Sequence, residues 1–353
     1  MKKYFLTILC LFWLIIFSFN PTRTLTASNK GVFEIDFLDI GQGDSILVNC
    51  DGHYMLIDGG SSKASNLIFT VLKNKGISYL DYIVATHADE DHVGGLAGAL
   101  NYAKVGTAYC SVTEHNTKAF NSFKKYLTKQ GKSISIPSAG DSFALGSAKV
   151  TVLAPVGVSK SDDNNNNSIV LRIIYGETSF LLTGDAEYEE ERQIMDSCTN
   201  IKSTVLKVGH HGSKNSTSIK FLYKVSPEYA VISVSADNSY GHPANEVLTQ
   251  LNRRNVQVYR TDLQGDIHLF SDGKTVTFST EKKSGTSTNV SDVRSEAGTP
   301  RKMDYILNTN TKKFHFPECK SVENMKEKNK KAFHGSRDEV ISLGYSPCGN
   351  CRP

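Results

Sequence analysis

The chain has 353 residues, 39% hydrophobic and 22% charged, enough for one large core with room for a small additional module. A net charge of +4 and a pI near 8.5 permit an anionic partner without requiring one. Seven cysteines follow no secreted disulfide framework, which excludes a small cystine-held scaffold.

Residues 1–27 read as a leader: Lys2 and Lys3 precede an apolar stretch from Tyr4 to Phe19, broken only by Thr7, Cys10 and Ser18. The apolar stretch is short for a spanning helix, so the expectation is a cleaved signal peptide, with an uncleaved N-terminal anchor as the alternative. The protein is then secreted, or attached to the outer face of a bacterial membrane. Leu9 before Cys10 is not the small residue that a lipoprotein site requires.

Phe33 to Asp39 alternates apolar and polar residues and predicts a strand, followed by strands at Ile46–Val48 and Tyr54–Ile57 around the Asp51-Gly52 turn. A short helix is expected over Asn66–Asn74. The apolar run Tyr82 to Ala85 predicts a buried strand, and directly after it stands Thr86-His87-Ala88-Asp89-Glu90-Asp91-His92-Val93-Gly94-Gly95. This HxDxDH pattern puts four potential metal ligands into six positions of a strand-to-helix loop, with the helix expected to start at the glycine pair. The carboxyl end of a strand in an α/β fold is where side chains project into a crevice rather than a core. Alternate spacing lets His87 and Asp89 chelate one ion while Asp91 and His92 face a second.

Further strands are expected at Lys104–Cys110 and Ala148–Leu153, with an amphipathic helix at Lys118–Gln130. The polar run from Asp162 to Ser168 reads as a solvated loop, in which only Asn167, abutting the strand Ile169–Ile174, is a candidate ligand. The strand Thr178–Leu182 ends in Thr183-Gly184-Asp185. Asp185 alone reads equally as a cap of the helix Glu187–Met195 or as a ligand, and the company of HxDxDH favours the ligand. Val205–Val208 is followed by Gly209-His210-His211-Gly212-Ser213-Lys214, where one histidine ligates and the other donates a hydrogen bond; spacing leaves open which. A strand at Tyr229–Val234, the stretch Asn238 to Pro243 containing His242, a helix at Glu246–Arg254 and three short strands to Phe278 follow. The histidines His53, His115, His268 and His334 have no partner pattern.

Residues 281–302 are rich in Ser, Thr, Gly and charge, a composition that predicts a flexible linker to a module at 303–353. That module supplies His315 and Cys319 in HxxxC spacing and Cys348 and Cys351 in CxxC spacing, a closed set for one structural zinc. Its excess of Lys and Arg reads either as a phosphate-contacting face or as ordinary solvated charge.

Together these motifs resemble the metallo-β-lactamase fold. Asp39-Ile40-Gly41-Gln42-Gly43-Asp44-Ser45, Asp58-Gly59-Gly60, Leu182-Thr183-Gly184-Asp185, Lys207 to Ser213 and Tyr240-Gly241-His242-Pro243 resemble its branch in the bacterial competence protein ComEC. The resemblance covers about residues 31–280 and implies an α/β protein, an αββα four-layer sandwich with metal along the edge between two sheets. It implies two divalent ions, zinc or manganese, and no organic cofactor: His87, Asp89 and Asp185 for the first ion; Asp91, His92, Asp185 and one of His210 or His211, with His211 favoured, for the second. Asp89 stands where the commonest pattern has histidine, and Asn167 stands roughly in the place of another ligand histidine of that pattern, which makes the first site harder and weaker and moves preference towards manganese or a loosely held second ion.

The implied function is an exported metal-dependent phosphodiesterase, a nuclease that cleaves DNA through a hydroxide shared by the ions. Asp91 or Asp185 would steer the hydroxide. His210 and His242 would hydrogen-bond the phosphoryl oxygens or protonate the leaving group, and Lys207, Ser213 and Lys214 would meet phosphate, although Lys207 and Lys214 read equally as solvated side chains. The C-terminal block resembles the zinc domain of the Ada DNA-repair protein, with His315 in place of its first cysteine, which argues against methyl-acceptor chemistry. Two rival expectations are a hydrolase of the same fold acting on a small phosphodiester, phosphocholine ester or lactone, and a surface DNA-binding protein without turnover. Membrane attachment is expected only through an uncleaved leader.

Overall fold

The computed structural model describes residues 31–156, 164–198, 200–282, 303–317, 319–348 and 351. The leader, the stretch 283–302, and Asp162 and Asp163 lie outside the described residues. Among the described residues no helix is long and apolar enough to cross a membrane.

The alternation at Phe33 becomes strand β1 (Phe33–Phe37), whose Phe33, Ile35 and Phe37 face an inner core while Glu34 and Asp36 point the other way. It sits within a sheet of order β15 (Val276–Thr280), β14 (Ile267–Ser271), β1, β2 (Ile46–Cys50), β3 (His53–Ile57), β4 (Tyr79–Ala85), β5 (Lys104–Cys110) and β6 (Ile134–Ser135). A second sheet runs β13 (Gln257–Arg260), β12 (Tyr229–Ile232), β11 (Val205–Lys207), β10 (Thr178–Leu182), β9 (Val170–Tyr175), β8 (Ala148–Ala154) and β7 (Ser142–Leu145). Strands β3 to β6 are parallel, as are β10 to β13.

Side-chain alternation sorts the apolar residues into three layers of core. Met55 and Ile57 of β3 join Phe180 and Leu182 of β10 between the sheets. Leu56 faces the opposite way, onto helices Ser65–Asn74, Leu96–Tyr102 and Lys118–Lys129. Leu181 faces helices Tyr188–Ser197, Ile219–Val225 and Asn245–Arg253. The result is helix, sheet, sheet, helix, the four-layer αββα sandwich. Phe33 ties the sheets together by stacking on Phe180 at 4.7 Å and Tyr175 at 5.0 Å between ring centroids. Each fully buried ring of this kind contributes roughly 1.5–3 kcal/mol by leaving water.

The helix after β4 starts earlier than the glycine pair. Residues Glu90–Val93 form a short helix with Asp89 at its N-cap, so Asp91 and His92 ride on a helical turn. Two acidic residues in that first turn suit the positive end of the helix dipole. Gly94 and Gly95 serve close approach instead: a Cβ on Gly95 would lie 1.9 Å from Gly59 O. Backbone bonds lock three loops here, from Gly59 N to His92 O (2.8 Å), Gly95 N to Gly60 O (2.9 Å) and Gly60 N to Asp44 O (2.8 Å).

Residues from 303 onward form a third sheet of order β18 (Lys330–Gly335), β16 (Met303–Asn308), β17 (Lys313–His315) and β19 (Ser346–Pro347). Its small core holds Tyr305, Leu307, Phe314, Phe316 and Val340.

Candidate metal centre

Strands β3, β4, β10, β11 and β12 deliver their carboxyl ends to one edge of the sandwich, and the loops that follow them carry the chemistry. Asp58 follows β3, Thr86 to Asp91 follow β4, Asp185 follows β10, His210 and His211 follow β11, and Ser233 follows β12. Gly184, at φ +50°, brings the β10 loop against Thr86, where a Cβ would meet the threonine side chain at 2.9 Å. This contact puts Asp185 beside the HxDxDH loop.

Three buried histidines are anchored through the same ring nitrogen. His92 Nδ1–H donates to Asp58 Oδ2 at 2.9 Å, His211 Nδ1–H to the Ser233 carbonyl at 2.9 Å, and His87 Nδ1–H to Thr86 Oγ1 at 3.1 Å. Thr86 Oγ1 in turn donates to Asp58 Oδ2 at 2.8 Å, which leaves its lone pairs for His87. A proton fixed on each Nδ1 leaves each Nε2 with a lone pair, the state in which imidazole ligates a metal. These Nε2 atoms and Asp185 Oδ1 are buried and lack a hydrogen-bond partner. Ligand atoms of His87, His92 and Asp185 lie within 4.8 Å of one another, and so do those of Asp91, His92 and His211. Converging polar atoms that nothing among the described residues satisfies fit divalent cations.

The acids complete the set from the open side. Asp91 Oδ2 stands 3.5 Å from His211 Nε2, and Asp89 Oδ2 stands 3.7 Å from His87 Nε2. Asp185 Oδ2 lies 3.2 Å from His92 Nε2 and 3.4 Å from His211 Nε2, central to both groups. Burial alone would raise the Asp185 carboxyl, but His211 and His92 outweigh it and hold it well below the usual carboxylate range. Burial alone would likewise lower His92, and Asp185 with Asp58 raises it well above its ordinary value. Such mutual charge stabilisation is what cations would replace.

His210 and His211 divide their roles. His211 is buried in the cluster, whereas His210 is partly exposed, with Nδ1–H donating to Glu187 Oε1 at 2.8 Å and Nε2 at 3.8 Å from Asp185 Oδ2. Burial would lower His210, and the hydrogen bond to Glu187 overcomes it and raises its pKa. His242 meets the His210 ring edge-on at 5.3 Å. Burial, with His210 and His211 nearby, pushes His242 down to about 4, so at neutral pH it is an uncharged hydrogen-bonding ring. Both line a groove of about 610 Å³ with Ser213, Lys214, Asn215 and Tyr240.

Lys207 corrects the sequence expectation. It is fully buried, its Nζ 2.9 Å from Asp44 Oδ2 and donating to Val208 O at 2.8 Å, so it cannot meet a substrate phosphate. Asp44 also lies 3.4 Å from His211 Nδ1, which makes the pair a prop behind the metal group. Lys214 is exposed in the groove; Ser213 is nearly buried there, its Oγ accepting from Asn215 N at 3.3 Å. The polar run is not simply solvated either: Asn164 Nδ2 donates to Asp89 Oδ1 at 2.8 Å and Asn165 Nδ2 reaches His210 Nδ1 at 3.4 Å. Asn167 ends the same 3-10 turn, its N–H donating to Asn164 O at 3.0 Å. His115, which had no partner pattern, lies 3.4 Å from Asn164 Nδ2.

Asp58, Asp44 and Glu187 are the residues that reading the motifs for ligands overlooked, although two of them stand inside the Asp39–Ser45 and Asp58–Gly60 motifs. Asp58→Asn opposes an amide N–H₂ to His92 Nδ1–H and drives the ring to its other tautomer. Metal affinity is expected to fall about 10- to 100-fold, measured by titration against a competing chelator. An unchanged affinity would refute the orienting role.

At the third sheet, ligand atoms of His315, Cys319, Cys348 and Cys351 lie within 4.8 Å of one another, and both His315 ring nitrogens are buried without a hydrogen-bond partner among the described residues. This set fits a tetrahedral metal held by three sulfurs and one nitrogen.

A profile of the metallo-beta-lactamase superfamily matches residues 38–236. The chain is 34% identical to ComE operon protein 3 of Bacillus subtilis strain 168, over 70% of this chain and 34% of that protein. It is 32% identical to competence protein ComA of Neisseria gonorrhoeae, over 65% of this chain and 31% of that protein. It is also 32% identical to recombination protein 2 of Haemophilus influenzae, over 74% of this chain and 31% of that protein. The chain spans about a third of the length of these relatives.

Proposed function

The chain belongs to the metallo-β-lactamase superfamily, in the branch of the ComEC-like proteins, and on that premise we propose that it is an exported phosphodiesterase that cleaves DNA. The observation that carries this reading is the convergence of His87 Nε2, His92 Nε2, His211 Nε2 and Asp185 Oδ1, buried and unsatisfied among the described residues, next to His210, which lines an open groove. His87 and Asp185, with Asp89 at the rim, would hold one divalent ion; Asp91, His92, His211 and Asp185 would hold a second. When bound, a pair of such ions lowers the pKa of water towards neutrality and neutralises charge on a phosphodiester. Zinc and manganese both suit the mixed nitrogen and oxygen donors.

The chain's own side chains do the rest. His210, raised by Glu187, is the group placed to give a proton to the leaving oxygen, and His242 donates a hydrogen bond to a phosphoryl oxygen. Lys214 adds positive charge at the groove wall. Asp185 orients both halves of the site from its central position.

A DNA substrate is supported by the groove's phosphate-compatible lining and fits the names of the relatives, given for competence and recombination. The apolar leader supports action outside the cytoplasm. We further assign the module at 303–353 a structural zinc, on the four converging ligand atoms, and a share in holding DNA, on its excess of lysine. A panel of DNA, a small phosphodiester, a phosphocholine ester, a lactone and a β-lactam, offered to the manganese- or zinc-loaded protein, tests the reading. DNA and the small phosphodiester should turn over and the others should not; turnover confined to any of the other three would overturn it.

A further inference from the structure

An aromatic ladder leads out of the metal centre along the groove. His210 stands beside Asp185, His242 meets His210 edge-on at 5.3 Å, and Tyr240 stacks on His242 at 5.6 Å with 25° between the ring planes. Tyr240 is 71% exposed, the most exposed large side chain among the described apolar and aromatic residues. One face of its ring rests on His242 and the other is open.

The loop presenting this ring is braced. Asn238 Nδ2 donates to the carbonyls of Ser235 and His242, both at 2.7 Å, and its Oδ1 accepts from His242 N at 2.9 Å and Tyr240 N at 3.2 Å. Ala244 N donates to Gly212 O at 2.8 Å, tying the loop to the histidine turn. A Cβ on Gly212 would lie 2.6 Å from Pro243 Cβ, so the two segments are in close contact. An aromatic ring left in water on a loop held this firmly is ready to stack, because little further ordering is needed when a ligand arrives.

Building on the phosphodiesterase reading, we propose that Tyr240 is the stacking platform for an unpaired nucleobase next to the scissile phosphate, and that it makes the site selective for single-stranded DNA. A base inside a duplex already has both faces covered by its neighbours and would have to be unstacked first, at a few kcal/mol. A base in a single strand offers a free face, and stacking on an aromatic ring is tolerant of its identity. Lys214 and Asn215 on the same groove wall lie where the adjoining backbone phosphate would run.

The test compares the full chain, Tyr240→Ala and Tyr240→Phe for binding to a single strand, the same strand carrying abasic residues, and a blunt duplex. Binding is read by fluorescence anisotropy with all three proteins in an Asp185→Ala background and no chelator, so that the module keeps its zinc while hydrolysis is nearly silent, and cleavage is read separately with manganese in the unaltered background. Tyr240→Ala should weaken binding of the intact strand roughly tenfold and leave the abasic strand within about twofold, while Tyr240→Phe behaves as the parent. An equal loss on intact and abasic strands, or a parent that binds the two alike, overturns the proposal. A parent that shows the stacking pattern but cleaves no phosphodiester would sink the hydrolase reading and leave the platform standing. A parent that cleaves DNA without the pattern does the reverse.

Discussion

On the proposed phosphodiesterase function, Asp185→Ala is expected to lower phosphodiester hydrolysis by about a thousandfold, equivalent to ~4 kcal/mol of transition-state stabilisation, and to leave the fold in place. The expected size follows from its position: its carboxylate lies 3.2 Å from His92 Nε2 and 3.4 Å from His211 Nε2, so both proposed ions would lose the carboxylate they share. The fold persists because the two histidines, whose raised pKa values Asp185 helps to cause, simply become neutral when it is gone. Neutral imidazoles whose Nδ1 atoms keep their hydrogen bonds are tolerable in the interior. A variant that kept more than about a tenth of the parent's rate, at saturating metal, would show that Asp185 does not hold metal.

Lys207→Met is expected to destabilise the protein by about 3–5 kcal/mol, read by chemical denaturation. Its ammonium and the Asp44 carboxylate are 0% and 1% exposed. Burial would raise the Asp44 carboxyl, and the Lys207 charge outweighs it. Removing the cation alone leaves an uncompensated buried anion beside His211. The double variant Lys207→Met with Asp44→Asn should regain most of the loss, since the penalty belongs to the orphaned charge rather than to the missing pair. A loss under about 1 kcal/mol for the single variant would mean that water reaches the pair.

How much of this was legible in the sequence depends on whether each role is local. The apolar run from Tyr82 and the strands ending at Leu182 and Lys207 announce themselves by pattern, and their carboxyl ends carry His87, Asp185 and the His210–His211 pair; position made these candidates, the HxDxDH motif tipped Asp185 towards a ligand, and only the resemblance favoured His211. The four layers were implied only by the family resemblance, whereas alternation at Phe33 predicted no more than the strand whose inward face the fold now shows. Strands such as Ile134–Ser135 are too short to show a period, and the helix Ile219–Val225 offers fewer than two turns of pattern.

The site residues that escaped notice act across loops. Asp58 matters because it receives His92 Nδ1–H from 34 residues away, through an interlock that Gly59 and Gly95 permit. Lysine is almost never buried, so Lys207 beside two histidines reads as a phosphate ligand until its partner Asp44 is seen. Asn164 and Asn165 sit in a run whose composition suggests solvent, and only the fold brings them to Asp89 and His210. The choice between His210 and His211 was open for the same reason: the Ser233 carbonyl that fixes the His211 tautomer belongs to a different strand end.

The measurement that bears most directly on the central claim is a time course of DNA cleavage by the full chain, stripped of metal and then reloaded with manganese or zinc. The stripped protein should leave single-stranded and duplex DNA intact, and reloading should start cleavage, with the single strand cut faster. A reloaded protein, with metal shown to be bound, that leaves every DNA intact while hydrolysing another ester would contradict it.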